Sequence, residues 1–76
     1  MEEMTKLSDG IFTATTLKRG AVYTCNIRTG CFIRLEWDGR FVVKVICGGI
    51  LEDTNAFASY WDAVKCVRNQ YNLLTA

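Results

Sequence analysis

Glycine recurs at positions 10, 20, 30 and 39, and it divides the first half of the chain into short runs of alternating β-branched and aromatic residues. Three of these glycines close similar triplets: Lys18-Arg19-Gly20, Arg28-Thr29-Gly30 and Trp37-Asp38-Gly39. A three-residue hairpin loop is a type I turn followed by a left-handed residue, a place glycine takes without steric cost. The spacing therefore predicts four strands, roughly 11–17, 21–27, 31–36 and 40–47, wound as an antiparallel meander.

The alternation sets which side of each strand faces inward. With triplet loops, Tyr23 lies opposite Leu35, Cys25 opposite Ile33 and Ile27 opposite Cys31. Across the next loop Leu35 meets Phe41, Ile33 meets Val43 and Cys31 meets Val45. A two-residue Asp38-Gly39 turn is the rival, and it places Ile33 opposite Lys44 and Leu35 opposite Val42. A one-residue slip exchanges the two faces of a strand. The triplet loop is preferred because it keeps Arg34, Glu36 and Lys44 together on the outside.

After Cys47-Gly48-Gly49 the period changes. Phe57, Tyr60, Val64, Val67 and Tyr71 fall on one helical stripe. This predicts a helix at about 55–71, within outer limits of about 53–72. Ser59 with Asp62 resembles a capping pair, and Asp53 or Thr54 would cap a longer helix. Asp62, Lys65 and Asn69 form the wet side, with Cys66 off the stripe and partly exposed. The apolar stripe is expected to cover Ile11, Leu17, Tyr23, Cys25, Ile27, Ile33, Leu35, Val43 and Val45.

The fold class expected is α+β, as one domain over residues 1–76. An N-terminal segment (1–10) precedes a four-stranded antiparallel β-meander (11–47), and one C-terminal helix packs on one sheet face. A small SH3-like or OB-like barrel with a C-terminal helix is the alternative, since short twisted strands can curl closed. A chain of 76 residues has room for a single core. Half of it is apolar and 22% is charged, which argues against disorder.

The four cysteines, at 25, 31, 47 and 66, include no C-x₂₋₄-C pair, and histidine is absent, so zinc is not expected. Met1-Glu2-Glu3-Met4-Thr5-Lys6-Leu7 is acidic, with no apolar leader segment. No run approaches the ~18 apolar residues of a membrane span. A cytoplasmic protein with four reduced thiols and no membrane association follows as the expectation. The missing histidine removes the commonest general base, and the cysteines lack an activating partner. The pairs Glu36/Asp38 and Glu52/Asp53 are explained by turn chemistry and helix polarity. No enzyme activity and no cofactor are expected.

Binding is the function left. Residues 11–47 carry six cations against two anions, giving +4, while both ends are acidic. The outward row of the sheet, in this register, includes Phe12, Ala14, Thr16, Val22, Phe32, Arg34, Arg40, Val42, Lys44 and Ile46. Apolar side chains among cations mark interfaces. The residues expected to contact a partner are Phe12, Lys18, Arg19, Arg28, Phe32, Arg34, Arg40 and Lys44. A protein is the first expected partner. Nucleic acid is the alternative, with Phe12 and Phe32 as a stacking platform beside Arg28, Arg34 and Lys44. Homodimerisation through this face, or its burial under Met4 and Leu7 or the Leu73-Leu74 tail, are the competing uses.

In its size, its short meander with one helix and its lack of active-site residues, the whole chain resembles the small phage-encoded inhibitors, the anti-CRISPR and related anti-defence proteins. The resemblance implies stoichiometric blocking of a host nuclease complex by a charged surface.

Overall fold

The computed structural model describes residues 14–75. A short helix α1 (Ala14–Lys18) leads into four strands, β1 (Tyr23–Arg28), β2 (Cys31–Trp37), β3 (Phe41–Cys47) and β4 (Ile50–Phe57). Helix α2 (Tyr60–Thr75) closes the described chain. The strands pair antiparallel in the order β1-β2-β3-β4, so the sheet is an open meander with β1 and β4 at its edges. The expected fold class holds: an α+β arrangement of four antiparallel strands with one C-terminal helix on one face. The barrel alternative does not, because β1 and β4 do not pair to close the sheet.

The expected elements shift along the chain. Residues 14–17 lie in α1 instead of in a first strand, and positions 11–13 are outside the described residues. Gly20 has a left-handed φ of 102°, as its triplet required. It ends a helix, however. Ala21 N donates to Thr16 O (3.2 Å) and Gly20 N donates to Leu17 O (3.0 Å). These are the two bonds of a Schellman cap, whose glycine has the same backbone need as a hairpin glycine.

The fourth strand comes from residues assigned to the loop and the start of the helix. Gly48 and Gly49 both have positive φ, at 60° and 78°, as a two-residue type I′ hairpin turn demands. They join β3 to β4, and the helix therefore begins at Tyr60 instead of near 55. Ala63 N donates to Ser59 O at 3.2 Å, the first helical bond, so Ser59 is the N-cap and Asp62 sits three residues on. The Asp53 and Thr54 cap alternatives are excluded, as both residues lie in β4.

In the first hairpin Tyr23↔Leu35 and Cys25↔Ile33 pair as expected. A register shift between Asn26 and Arg28 places Arg28, not Ile27, opposite Cys31. In the second hairpin the loop is Asp38-Gly39-Arg40, not Trp37-Asp38-Gly39. Trp37 pairs with Phe41, Leu35 with Val43, Ile33 with Val45 and Cys31 with Cys47. The shift is by two residues, so each side chain keeps its face.

Leu17, Tyr23, Cys25, Ile33, Leu35, Phe41, Val43 and Val45 form one buried cluster with Tyr60, Ala63, Val64 and Val67 of α2. Ile27 and Tyr71 are partly buried against it, and Ile11 lies outside the described residues. Cys31 and Cys47, opposed with Cα atoms 4.0 Å apart, form a disulfide. The expectation of four reduced thiols is corrected accordingly: the buried Cys25 and the partly exposed Cys66 lie outside the disulfide.

Candidate functional site

Both helices pack on one side of the sheet, where Leu17 and the α2 stripe share the core cluster. The opposite face carries three rows that run across the strands. The register aligns Thr24, Arg34, Lys44 and Thr54 in one row. Asn26, Phe32, Ile46 and Leu51 make the next, and Glu36, Val42 and Ala56 the third. An apolar row therefore runs beside a cationic one.

Glu36 reaches both cations of the middle row. Its Oε1 pairs with Lys44 Nζ, and its Oε2 lies 4.0 Å from Arg34 Nε. These side chains are 23–35% exposed. Such a pair contributes little to stability, roughly 0–1 kcal/mol, so its main effect is to order the two cations. Arg34 Nε is itself buried and has no hydrogen-bond partner among the described residues. Val42, 6% exposed, lies at the base of a notch of about 440 Å³ bordered by Arg40, Lys44 and Thr54.

The residues expected to bind a partner are thus divided. Phe32, Arg34 and Lys44 share the outer face, and Arg40 joins them at the notch. Lys18 does not: its ammonium lies 5.0 Å from the Trp37 ring centroid and 5.8 Å from that of Phe41, at the end of the helix-covered side. Arg19 follows α1 there. Arg28 ends β1, and its Nη1 donates a long 3.4 Å bond to Leu74 O in the last turn of α2. A cation suits that end of the helix dipole. Phe12 lies outside the described residues. Ala14 and Thr16, expected on the outer face, belong to α1, where Ala14 packs on the core.

Sequence reasoning passed over two other regions. At the Trp37 end, aromatic rings form a chain. Trp37 and Phe41 have centroids 4.8 Å apart, Phe41 and Tyr60 5.7 Å, and Tyr60 and Trp61 5.2 Å. Trp61 is 53% exposed, and its position off the helical stripe was the available signal. On the helix-covered side, Asn55, Phe57, Asp62, Lys65, Cys66, Asn69 and Gln70 line a cleft between α2 and β4. Burial, and then the charge of Asp53, push the Cys66 thiol above its ordinary pKa.

No helix among the described residues is long and apolar enough to cross a membrane. Among the same residues, no group of three or more histidine, cysteine or acidic side chains is placed to hold a metal ion. Comparison with protein-family models, with curated proteins and with solved structures gives no match to this chain.

Proposed function

We propose that this chain is a non-catalytic binding protein, an inhibitor or adaptor that docks on a larger protein through the outer face of its sheet. One observation carries the proposal: the apolar Phe32–Ile46 row lies directly beside the Arg34–Lys44 row, on the face to which neither α1 nor α2 packs. An apolar strip with ordered cations at its side has the composition of an interface core and its rim. Glu36 already offsets part of the positive charge, which favours a protein surface over a phosphate backbone. Action as a stoichiometric blocker fits the small inhibitors that the chain resembles.

The test is the double substitution Phe32→Ser with Arg34→Glu. Phe32 is half-buried, so its loss costs about 1 kcal/mol, roughly half of a full phenylalanine burial. The melting temperature should then fall by about 4–8 °C, leaving a folded protein. Immobilised wild-type chain should retain a protein from nuclease-treated lysate of its host, and the folded variant should not. Undiminished capture by the variant would refute the proposal. Capture that disappears with nuclease and falls steeply with salt would replace it with nucleic-acid binding. A wild-type dimer that the variant converts to a monomer in sedimentation would replace it with self-association.

A further inference from the structure

The cleft between β4 and α2 lies on the opposite side of the sheet from the docking face and has a different chemistry. Its volume of about 360 Å³ is within the small-molecule range. Asp53 organises its wall. Asp53 Oδ1 accepts from Thr54 N at 3.0 Å. Asp53 Oδ2 accepts from Asn55 Nδ2 at 3.1 Å and from Gln70 Nε2 at 3.0 Å.

A carboxylate only accepts hydrogen bonds, so both amides must turn their NH₂ groups toward Asp53. The carbonyl oxygen of each amide then points away from Asp53. Asn55 and Gln70 both line the cleft, and Asp53 holds the NH₂ group of each. The lining side chains thus keep two carbonyl oxygens as acceptors, with their amide orientation set by Asp53. Asp62 adds a carboxylate and Phe57 an aromatic surface. Asp53 and Asp62 against Lys65 leave a net charge of −1. Cys66 also lines the cleft, and its thiol is pushed up by burial first and then by the Asp53 charge.

We propose that the cleft binds a guanidinium group. A guanidinium is a planar cation that donates several N–H bonds in its plane, accepts none, and stacks its flat face on aromatic rings. Each of these properties matches a feature of the cleft: carbonyl acceptors, net negative charge and the Phe57 ring. For a carboxylate or phosphate, Lys65 is the one cation among the lining residues, against the charges of Asp62 and Asp53. The guanidinium belongs either to a small free molecule or to an arginine side chain of a protein.

Nuclear magnetic resonance titration of the full ¹⁵N-labelled chain tests this. Methylguanidinium should shift the Asn55 and Gln70 side-chain NH₂ signals saturably, while methylammonium at equal ionic strength binds about tenfold more weakly or less, having lost a charge-assisted bond. Gln70→Leu and, separately, Asn55→Leu should each weaken methylguanidinium by about tenfold for the same reason. Phe32→Ser with Arg34→Glu should leave it unchanged, which separates this site from the docking face. N-acetyl-arginine amide binding at least as tightly as methylguanidinium identifies a protein side chain as the source, and weaker binding identifies a small free guanidine. Equal binding of methylammonium in the wild-type chain overturns the proposal, whether or not the variants fold. Shifts that persist in both leucine variants overturn it too.

Discussion

Reduction of the Cys31–Cys47 disulfide should destabilise this chain strongly without unmaking the sheet. The bridge closes a loop with a sequence separation of 16. In the chain-entropy description, closing such a loop removes about 10 cal/mol/K from the unfolded ensemble, or roughly 3 kcal/mol at 25 °C. Small domains have only about 5–15 kcal/mol in total. At about 4–8 °C per kcal/mol for a chain of this length, the melting temperature should fall by about 12–25 °C. The hairpin itself should persist, because its ladder and the 2.8 Å bond from Gly48 N to Gly30 O do not depend on the bridge. Intact mass should show the gain of two hydrogens on reduction, and thermal melts with and without a phosphine reductant should give the shift. The variant Cys31→Val with Cys47→Val, which keeps small apolar side chains at both positions, should melt near the reduced wild type and ignore reductant. A mass that reduction leaves unchanged, or equal melts with and without reductant, would refute the reasoning.

Two further outcomes follow from the turns and the free thiol. Gly30 has φ 76°, and a Cβ added there meets nothing within 4 Å, so Gly30→Val should lose only the backbone term, about 1–2 kcal/mol. Thr29→Val should cost a few tenths on the scale of exposed substitutions, and equal shifts in the two melts would show that the turn is drawn wrongly. Cys66, raised by burial and then by Asp53, should alkylate more slowly at pH 8 than an unstructured cysteine, while buried Cys25 stays unlabelled. The pH midpoint of labelling should move down in Asp53→Asn, yet stay above the free-thiol value because burial is the larger cause. Since the folded thiol has the higher pKa, its small stabilising effect is present at lower pH and is lost as pH rises through that raised value. An unchanged midpoint in Asp53→Asn would refute the coupling.

The legible part of the fold was its parity. The inward positions Tyr23, Cys25, Ile33, Leu35, Val43 and Val45 follow from alternation alone, and a loop placed two residues early leaves them inward. Distance along the strand is not encoded in that pattern. Drawing the loop as Trp37-Asp38-Gly39 set Cys31 against Val45 and so concealed the one pairing that brings two sulfurs together. Gly20 misled for a different reason, since a Schellman cap and a hairpin loop make the same demand on φ. The Thr15-Thr16-Leu17 run, strand-like in composition, forms a single short helix that buries Leu17 completely. Gly48-Gly49 was the available sign of β4. The strand after it lacks an apolar alternation because, as an edge strand, it is exposed from Ile50 to Ala56.

β4 is also where the demands of folding and the sequence separate. Cross-strand partners share a face, so Asp53 opposite Val45 and Asn55 opposite Val43 point to the side of the sheet that holds the core. Both valines are at most 3% exposed. A strand that served only to widen that core would carry apolar residues at 53 and 55. Charged residues turned inward on an edge strand do guard against edge-to-edge pairing, which accounts for one polar residue. It does not account for Gln70 of α2 reaching the same carboxylate across 17 residues of sequence, or for two amides donating to one carboxylate. Departures from local consistency concentrate where a chain does its work. On the outer face the departure is an apolar row to which neither described helix packs, and in β4 it is a polar network where the apolar core could have continued. Each lies where the hydrophobic pattern stops dictating residue type, which is why neither was fully visible in that pattern.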